Sequence, residues 1–390
     1  MSPFPQQHIT PAPASDRLFF RYVRMNGPSS RAEIASAMKL SRPTASEAAA
    51  RLLSRGYLEI LTKDKTSTGK PGRVPELYDI PQALGHIITV LCEVDRISVN
   101  LYDLHGALLA HREQSTSWEP GVPIDKTIIT LLDEVQALAP GTIRAAVISI
   151  PTPVNPRTQH MVALPHTGVP HYLIDFHAIV KTHLHCPVYL DENVNWALFS
   201  EVHEGVAQGK NYVFGVHLAE YIGSAYAIDS RLYRGAHGTS GQISYMRFGG
   251  KPLHQVLHRL GVVDPNSYRS TPNGYLDVAQ SVKKIIGHPH TQETARALHI
   301  LAESVINAAA MIDPAAIVLS GPMIDDPDFA ATLLEGLMSR DILGETEILM
   351  SADGAGAVRN GARLGAQLLA LIHMGLRDPD ELGIAPATAG

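Results

Sequence analysis

The sequence predicts an α/β protein in two parts, a small helical head followed by a larger body long enough for two lobes. Three observations predict it. The chain has 390 residues, too many for one ordinary domain. Its charge is unevenly divided: residues 1–80 hold 12 Lys and Arg against 7 Asp and Glu, and the remainder holds 20 against 31. The hydrophobic period also changes, from about 3.6 over residues 16–58 to alternating strand-like and helix-like segments from Gly85 onward.

The first residues, "MSPFPQQHITPAPAS", are polar and Pro-rich. They lack a basic start followed by an apolar core, so residues 1–14 read as a disordered lead-in rather than a secretory signal. Cys92 and Cys186 lie in apolar, strand-like runs and read as buried reduced thiols. No apolar run approaches the ~20 residues that span a bilayer. A cytoplasmic protein with no membrane partner is expected.

Three helices follow. In "DRLFFRYVRMNG", Leu18, Phe19, Tyr22 and Val23 share a face and Gly27 is the stop. The second helix opens on Ser30 and Glu33, a Ser-x-x-Glu capping box, and buries Ile34, Ala35 and Met38. The third, "RPTASEAAARLLSRG", starts near Ser41, and Pro43 is tolerated in its first turn. Two short helices joined by a tight turn form a helix-turn-helix, although Lys39 stands where many such turns have Gly. After Gly56 the period becomes two, and "YLEILTKDKTSTGKPGRVPELYDI" reads as a wing hairpin with Lys63, Lys65, Lys70 and Arg73 near its tip.

A winged helix-turn-helix with net positive charge points to DNA. Ser41, Arg42, Pro43, Thr44 and Ser46 on the first turn of the third helix, and Arg51 further along, face the major groove in this reading. Lys70 and Arg73 on the wing reach phosphates or the minor groove. The alternative is a helical protein–protein module. The expected partner is double-stranded operator DNA, bound by a homodimer, or a dimer of dimers, on a pseudo-palindromic site.

In the body, "HIITVLCEV", "ISVNLYDL" and "ALLAHREQS" read as a strand meander. They are followed by helix "IDKTIITLLDEVQAL", strand "IRAAVISI", helix "YLIDFHAIVKTHL" and strand "CPVYL". Then come a helix beginning in "LDENVNWALFSE", strands "NYVFGVHLA" and "YAIDS", and helices within 254–260, 276–285 and 291–312. Strand "AAIVLSG" and helix "NGARLGAQLLALIHM" close the body.

At this point the chain resembles the ROK-family (repressor, open reading frame, kinase) transcriptional regulators. The resemblance rests on the order and spacing of "GRVPELYDI", "YDLHG", "ISIPTPVNPRT", "LDENVNWALFSE", "DSRLYRGAHGTSGQISYM", "DPAAIVLSGP" and "GAVRNGARLGAQLLAL". It implies a winged helix-turn-helix over residues 15–80 and an actin/hexokinase-like (ribonuclease H-like) body. The small lobe would be residues 83–195 with 358–376, the large lobe 196–357, and the tail 377–390.

The departures from the family's kinases matter as much. Their phosphate loops are Gly-rich, because glycine lets backbone N–H groups approach the anion. Here they read "LCEVDR" and "LAEYIGSA", which place Glu93, Asp95 and Glu220 beside the phosphate positions. The family's catalytic Asp corresponds to Asn193, whose amide is no proton sink. Glu192 is adjacent, but consecutive residues point in different directions. Tyr245 replaces a His that in many relatives helps hold zinc, and no Cys follows it. His171, His177, His183 and His185 show no ligand spacing and no evident acidic partner. The expectation is therefore no catalytic residue, no cofactor and no metal.

A sugar pocket can outlive kinase chemistry. The resemblance places Glu192, Asn193, His237, Gln242 and Tyr245 at the old sugar site, with neutral Gln242 and Tyr245 where Glu and His are usual. The leading expectation is a repressor of carbohydrate genes with a small carbohydrate-like effector. The alternatives are an ATP-dependent carbohydrate kinase and a ligand-free DNA-binding dimer.

Overall fold

The computed structural model describes residues 11–61, 75–118, 121–138, 141–164, 174–259, 281–283, 287, 292–338 and 344–382. The wing-tip residues Lys63, Lys65, Lys70 and Arg73, His171 and most of the helix expected within 276–285 lie outside the described residues.

The head has three helices and a small sheet. Helix α1 (Ala14–Asn26) buries Asp16, Phe19, Phe20 and Val23. Phe20 therefore joins the buried face, and Leu18 and Tyr22 sit half-buried at its edge. Strand β1 (Ser29–Ser30) leads into α2 (Arg31–Ala37), which starts at the expected capping box. There Glu33 N donates to Ser30 Oγ at 3.3 Å and Ser30 N to Glu33 Oε2 at 2.8 Å. The turn places Lys39 at φ 54°, in the left-handed region that glycine tolerates better, so this Lys carries a small backbone strain. Leu40 N then donates to Ala35 O at 2.9 Å. Helix α3 (Arg42–Ser54) follows, capped by Ser41. Strands β2 (Glu59–Leu61) and β3 (Leu77–Asp79) complete an antiparallel sheet in the order β1-β3-β2.

The body contains two five-stranded sheets of identical plan. In the small lobe, β4 (His86–Cys92), β5 (Arg96–Asp103), β6 (Leu108–Ser115), β7 (Ile143–Ile150) and β8 (Val188–Glu192) take the order β6-β5-β4-β7-β8. Helices α4 (Ile124–Gln136) and α5 (Phe176–Leu184) contribute to its apolar core. In the large lobe, β9 (Tyr212–Leu218), β10 (Ile222–Ile228), β11 (Arg231–Leu232), β14 (Ala316–Ser320) and β15 (Glu347–Met350) take the order β11-β10-β9-β14-β15. In each sheet the first three strands in sequence run antiparallel and the last two join in parallel. This repeated plan is the expected two-lobed actin/hexokinase-like architecture.

Two antiparallel strands, β12 (Arg247–Phe248) and β13 (Lys251–Pro252), precede helix α7 (Leu253–Arg259). Helices α8 (Gln292–Ile312) and α9 (Pro327–Met338) pack together on the large-lobe core. By length and composition Ala295–Ile312 is apolar enough to cross a membrane, contrary to the sequence expectation. Half of that window is buried, however, and Ala297, Leu301, Ala302 and Val305 lie in the large-lobe core. Cys92 and Cys186 are buried and unpaired, as expected. Strand β10 begins four residues before the expected "YAIDS", and Asp229 and Ser230 form the turn after it, both at positive φ.

Two helices join the lobes. Helix α6 (Asn193–His203) packs against β9 and β10, and α10 (Ala357–His373) packs against β4 and β7. The two helices cross each other at Trp196, which is fully buried. A Cβ on Gly361 would lie 1.7 Å from Trp196 O, and one on Gly365 would lie 2.2 Å from Trp196 Cζ3. The head shares this core: Phe19, Phe20, Leu52 and Tyr78 belong to the same buried cluster as Trp196, Leu368 and Leu376.

The described residues 11–14 and 377–382 are more structured than expected. Ala12 is buried and its N–H donates to Gly375 O at 2.8 Å, so the lead-in does not extend that far. Residues 377–382 likewise belong to the fold, ending in a helical turn (Pro379–Leu382) with Leu382 buried.

Gly361→Ala tests the helix crossing. On an exposed helix the change gains about 1 kcal/mol of propensity. Here it should instead lower unfolding stability by about 1–3 kcal/mol in urea titration, because the added methyl meets backbone rather than a movable side chain.

Candidate functional site

On the head, the first turn of α3 faces solvent. Ser41, Arg42 and Pro43 are exposed, and Thr44 and Ser46 are half-buried. The hydroxyls already have local partners. Ser41 Oγ accepts from Thr44 N at 3.2 Å and lies 2.7 Å from Thr44 Oγ1, while Ser46 Oγ donates to Arg42 O at 2.9 Å.

Arg51 is placed differently from its neighbours. Its Nε donates to both carboxylate oxygens of fully buried Asp16, at 3.1 and 3.0 Å. Its Nη2 donates to Asp16 at 2.6 Å and to Ser15 Oγ at 3.1 Å. Such a two-pronged pair fixes guanidinium geometry, so Arg51 ties α3 to α1. Lys70 and Arg73 are outside the described residues.

The second region lies where β8 ends and α6 begins. Strand β8 delivers Asp191 and Glu192 into a buried setting, and Asn193 is the first residue of α6. Asn193 Oδ1 accepts a 2.6 Å hydrogen bond from Ser149 Oγ at the end of β7. Glu192 accepts from Gln242 Nε2 on both oxygens, at 3.0 Å each. Burial pushes the Glu192 carboxyl up, the Gln242 bonds pull it back and the neighbouring Asp191 charge raises it again, leaving it at about 8. Near neutral pH this group therefore carries a proton and can donate as well as accept a hydrogen bond. Burial, and then the Glu192 charge, push the Tyr245 phenol up to about 12, so it stays a neutral donor.

The loop that brings Gln242 to Glu192 is wedged between the lobes. A Cβ on Gly238 would lie 1.8 Å from Val154 O in the small lobe, and one on Gly241 would lie 2.3 Å from Ser224 O in the large lobe. Both glycines have positive φ, so the backbone and the space demand glycine together. His237, on the same loop, is exposed. The structure thus brings Gln242 and Tyr245 to Glu192, bonds the adjacent Asn193 to Ser149, and leaves His237 exposed.

Four neighbours, Ser149, Asp191, Asn195 and Arg234, were not among the expected site residues. Ser149 sits behind Asn193. Asp191, almost wholly buried, accepts from Asn195 Nδ2 at 2.6 Å and pairs with buried Arg234 at 2.6 Å. The only sequence signal for the pair is an Asp at a strand end and an Arg before the Gly-rich "GAHGTSG" loop.

The two turns that the resemblance sets at the kinases' phosphate loops are tight hairpin turns. Glu93 N donates to Arg96 O at 2.9 Å, and the Glu93 carboxylate is paired with Arg96. Burial raises the Glu220 carboxyl, and the charges of Glu93 and Asp95 raise it further, so acidic groups from both loops act on one another. An incoming triphosphate would meet the same repulsion.

Of the histidines, His183 does have an acidic partner, Asp133 on α4 at 2.8 Å, correcting the expectation that none is present. His177 Nε2 lies 3.2 Å from Val188 O. Among the described residues no group of three or more His, Cys, Asp or Glu is arranged to hold a metal.

The Glu192 shift has a linkage consequence. Its folded value lies above its ordinary 4.5, so its contribution to stability is fully present below about pH 4.5 and is lost as pH rises through about 8. Glu192→Gln should flatten that loss. Urea titrations at pH 5 and pH 8 should show a smaller difference between the two pH values in the variant than in the parent protein.

Comparison with known proteins agrees with this geometry. Residues 89–256 match the ROK family. The Bacillus spizizenii xylose repressor is 24% identical over 235 residues, 60% of each chain. The Bacillus subtilis xylose repressor is 23% identical over 239 residues, again 60% of each chain. The match thus spans less than two thirds of these relatives' length. Among solved structures, a ROK family transcriptional regulator, homolog of the E. coli MLC protein, superposes with a TM-score of 0.64 at 14% identity. It covers 93% of this chain and 97% of its own. A Thermus thermophilus ROK hexokinase gives 0.56 at 19% identity, covering 73% and 98%. The kinase leaves uncovered a share of this chain that the regulator includes. The helix-linked lobes and the wedged glycine loop agree with that match, and residues 89–256 of this chain resemble the ROK family.

Proposed function

We propose that this protein is a DNA-binding transcriptional repressor whose ROK body senses a small carbohydrate. The observation that carries the reading is the exposed, basic first turn of α3 on a head that shares one hydrophobic core with the body. The regulator fold covering 93% of the chain supports it, as do relatives named xylose repressors.

In this reading Arg42 supplies the charged contact at the start of α3, with Ser41, Pro43, Thr44 and Ser46 lining the same turn. Arg51 positions α3 through Asp16. Lys70 and Arg73 would reach the flanking backbone or minor groove, and a dimer would present two heads to a pseudo-palindrome. The body binds its effector through Glu192, Asn193, Gln242 and Tyr245, with His237 at the rim. Amides, a protonated carboxyl and a phenol offer mixed donors and acceptors that suit vicinal hydroxyls. Xylose is the first sugar to test, on the strength of the relatives' names.

The protein acts by binding and not by phosphoryl transfer. Asn193 has no proton-accepting capacity, and the acidic turns oppose a triphosphate. ROK kinases share the fold, so the kinase reading has its own check: sugar-dependent ATP turnover by the purified protein would revive it.

Gel shifts with the protein's own promoter DNA test the main reading. Specific binding at physiological salt is expected, and D-xylose or another sugar should change it. Arg42→Ala should weaken operator affinity at least tenfold and reduce its salt dependence, as loss of one base or phosphate contact does. Absence of specific binding to any promoter fragment would sink the proposal.

A further inference from the structure

We propose that the segment Met374–Leu382 is a strap linking the effector site to the DNA-binding head, with Arg234 as its positioning residue at the site end. The proposal rests on the sensor reading above and goes beyond it by assigning the route.

At its first end the strap holds the head. Gly375 O accepts from Ala12 N at 2.8 Å, just before α1, and Met374 O accepts from the Tyr57 hydroxyl at 3.3 Å, just after α3. Leu376 is buried in the core shared with Phe19 and Phe20. Arg377 is paired with Glu381 and lies within electrostatic reach of Arg17, Arg21 and Arg24 on α1. Displacing the strap would therefore alter the charge around α1 as well as its backbone contacts.

At its other end the strap meets the site. Leu382 O accepts from Arg234 Nη1 at 3.2 Å, and Arg231 lies 4.0 Å from Asp380. The same Arg234 donates through Nε to Asp191 at 2.6 Å and lies over the Tyr189 ring. The other oxygen of Asp191 accepts from Glu192 N at 2.8 Å. One guanidinium thus grips both the residue preceding Glu192 and the last turn of the strap.

Arg234 is buried, yet its Nη2 has no hydrogen-bond partner among the described residues. An unsatisfied buried donor is costly, so this arrangement is poised for another in which Nη2 gains an acceptor. A ligand that moves the Asp191–Glu192 turn changes what Arg234 can hold, and the strap carries the change to α1 and Tyr57. Coupling of this kind requires only that the two arrangements bind the ligand differently.

The test uses the full chain and two conservative variants. Arg234→Lys keeps a cation for Asp191 but loses the second grip on Leu382. Tyr57→Phe removes only the hydroxyl at the head end. In amide hydrogen exchange without any sugar, Arg234→Lys should speed exchange at least fivefold in Met374–Leu382 and also in α1. Unchanged α1 exchange overturns the strap. In gel shifts, the ratio of operator affinities without and with D-xylose should fall at least fivefold in both variants. A parent protein whose sugar response survives intact in both variants overturns the strap and leaves the sensor reading standing. A parent protein that binds its operator but ignores every sugar removes the sensor reading, while the exchange experiment still decides whether the strap connects the two ends.

Discussion

The close crossing of α6 and α10 is the constraint on which the remaining structure depends. Helix packing normally keeps axes 8–10 Å apart with side chains between them. Here Gly361 and Gly365 remove the side chains on one helix, and Trp196 fills the space from the other. The indole is fully buried and donates to Ile148 O at 3.3 Å, so it is held on the small-lobe sheet as well. Because α6 starts at Asn193 and α10 leads directly into Met374, this one junction relates the site, both sheets and the base of the head. A change in lobe angle cannot occur without some movement at this crossing.

Much of the architecture was legible because its signals are local. The Ser30–Glu33 capping box, the Ser41 cap, the continuous apolar run of β4 and the alternating residues of β5 are each signals within a few residues. The turn at Lys39 was legible as a departure from Gly, and its positive φ explains why Gly is usual there. What was not legible involves partners far apart in sequence. Asp16 and Arg51 are 35 residues apart, and nothing in α3 alone distinguishes an Arg facing DNA from one holding α1. The Glu192–Gln242 contact spans 50 residues and was reached only through family resemblance. Helix α9 and strand β15 went unread because short apolar runs such as "EILM" do not separate helix from strand by period. The stretch from Arg377 looked like a tail because its polar composition hid Leu382, which is buried and whose carbonyl meets Arg234.

The chemistry of the cleft follows from which charges are neutralised and which are not. Asp191 accepts hydrogen bonds from both Arg234 and Asn195. Among the described residues, the Glu192 carboxyl has only the Gln242 amide as a side-chain partner, and burial moves it toward the neutral form. A kinase needs the opposite arrangement, with a competent base beside the hydroxyl and positive or neutral loops around the phosphates. Asn193, the proton on Glu192 and the carboxylates of Glu93, Asp95 and Glu220 all depart from that arrangement in the same direction. Asn193 and Glu192 retain hydrogen-bonding capacity, while the acidic turns oppose an anionic co-substrate. If, as proposed, no phosphate is transferred, a change in lobe angle can be useful only through what it moves, and in this chain α10 and the segment after it end at the head.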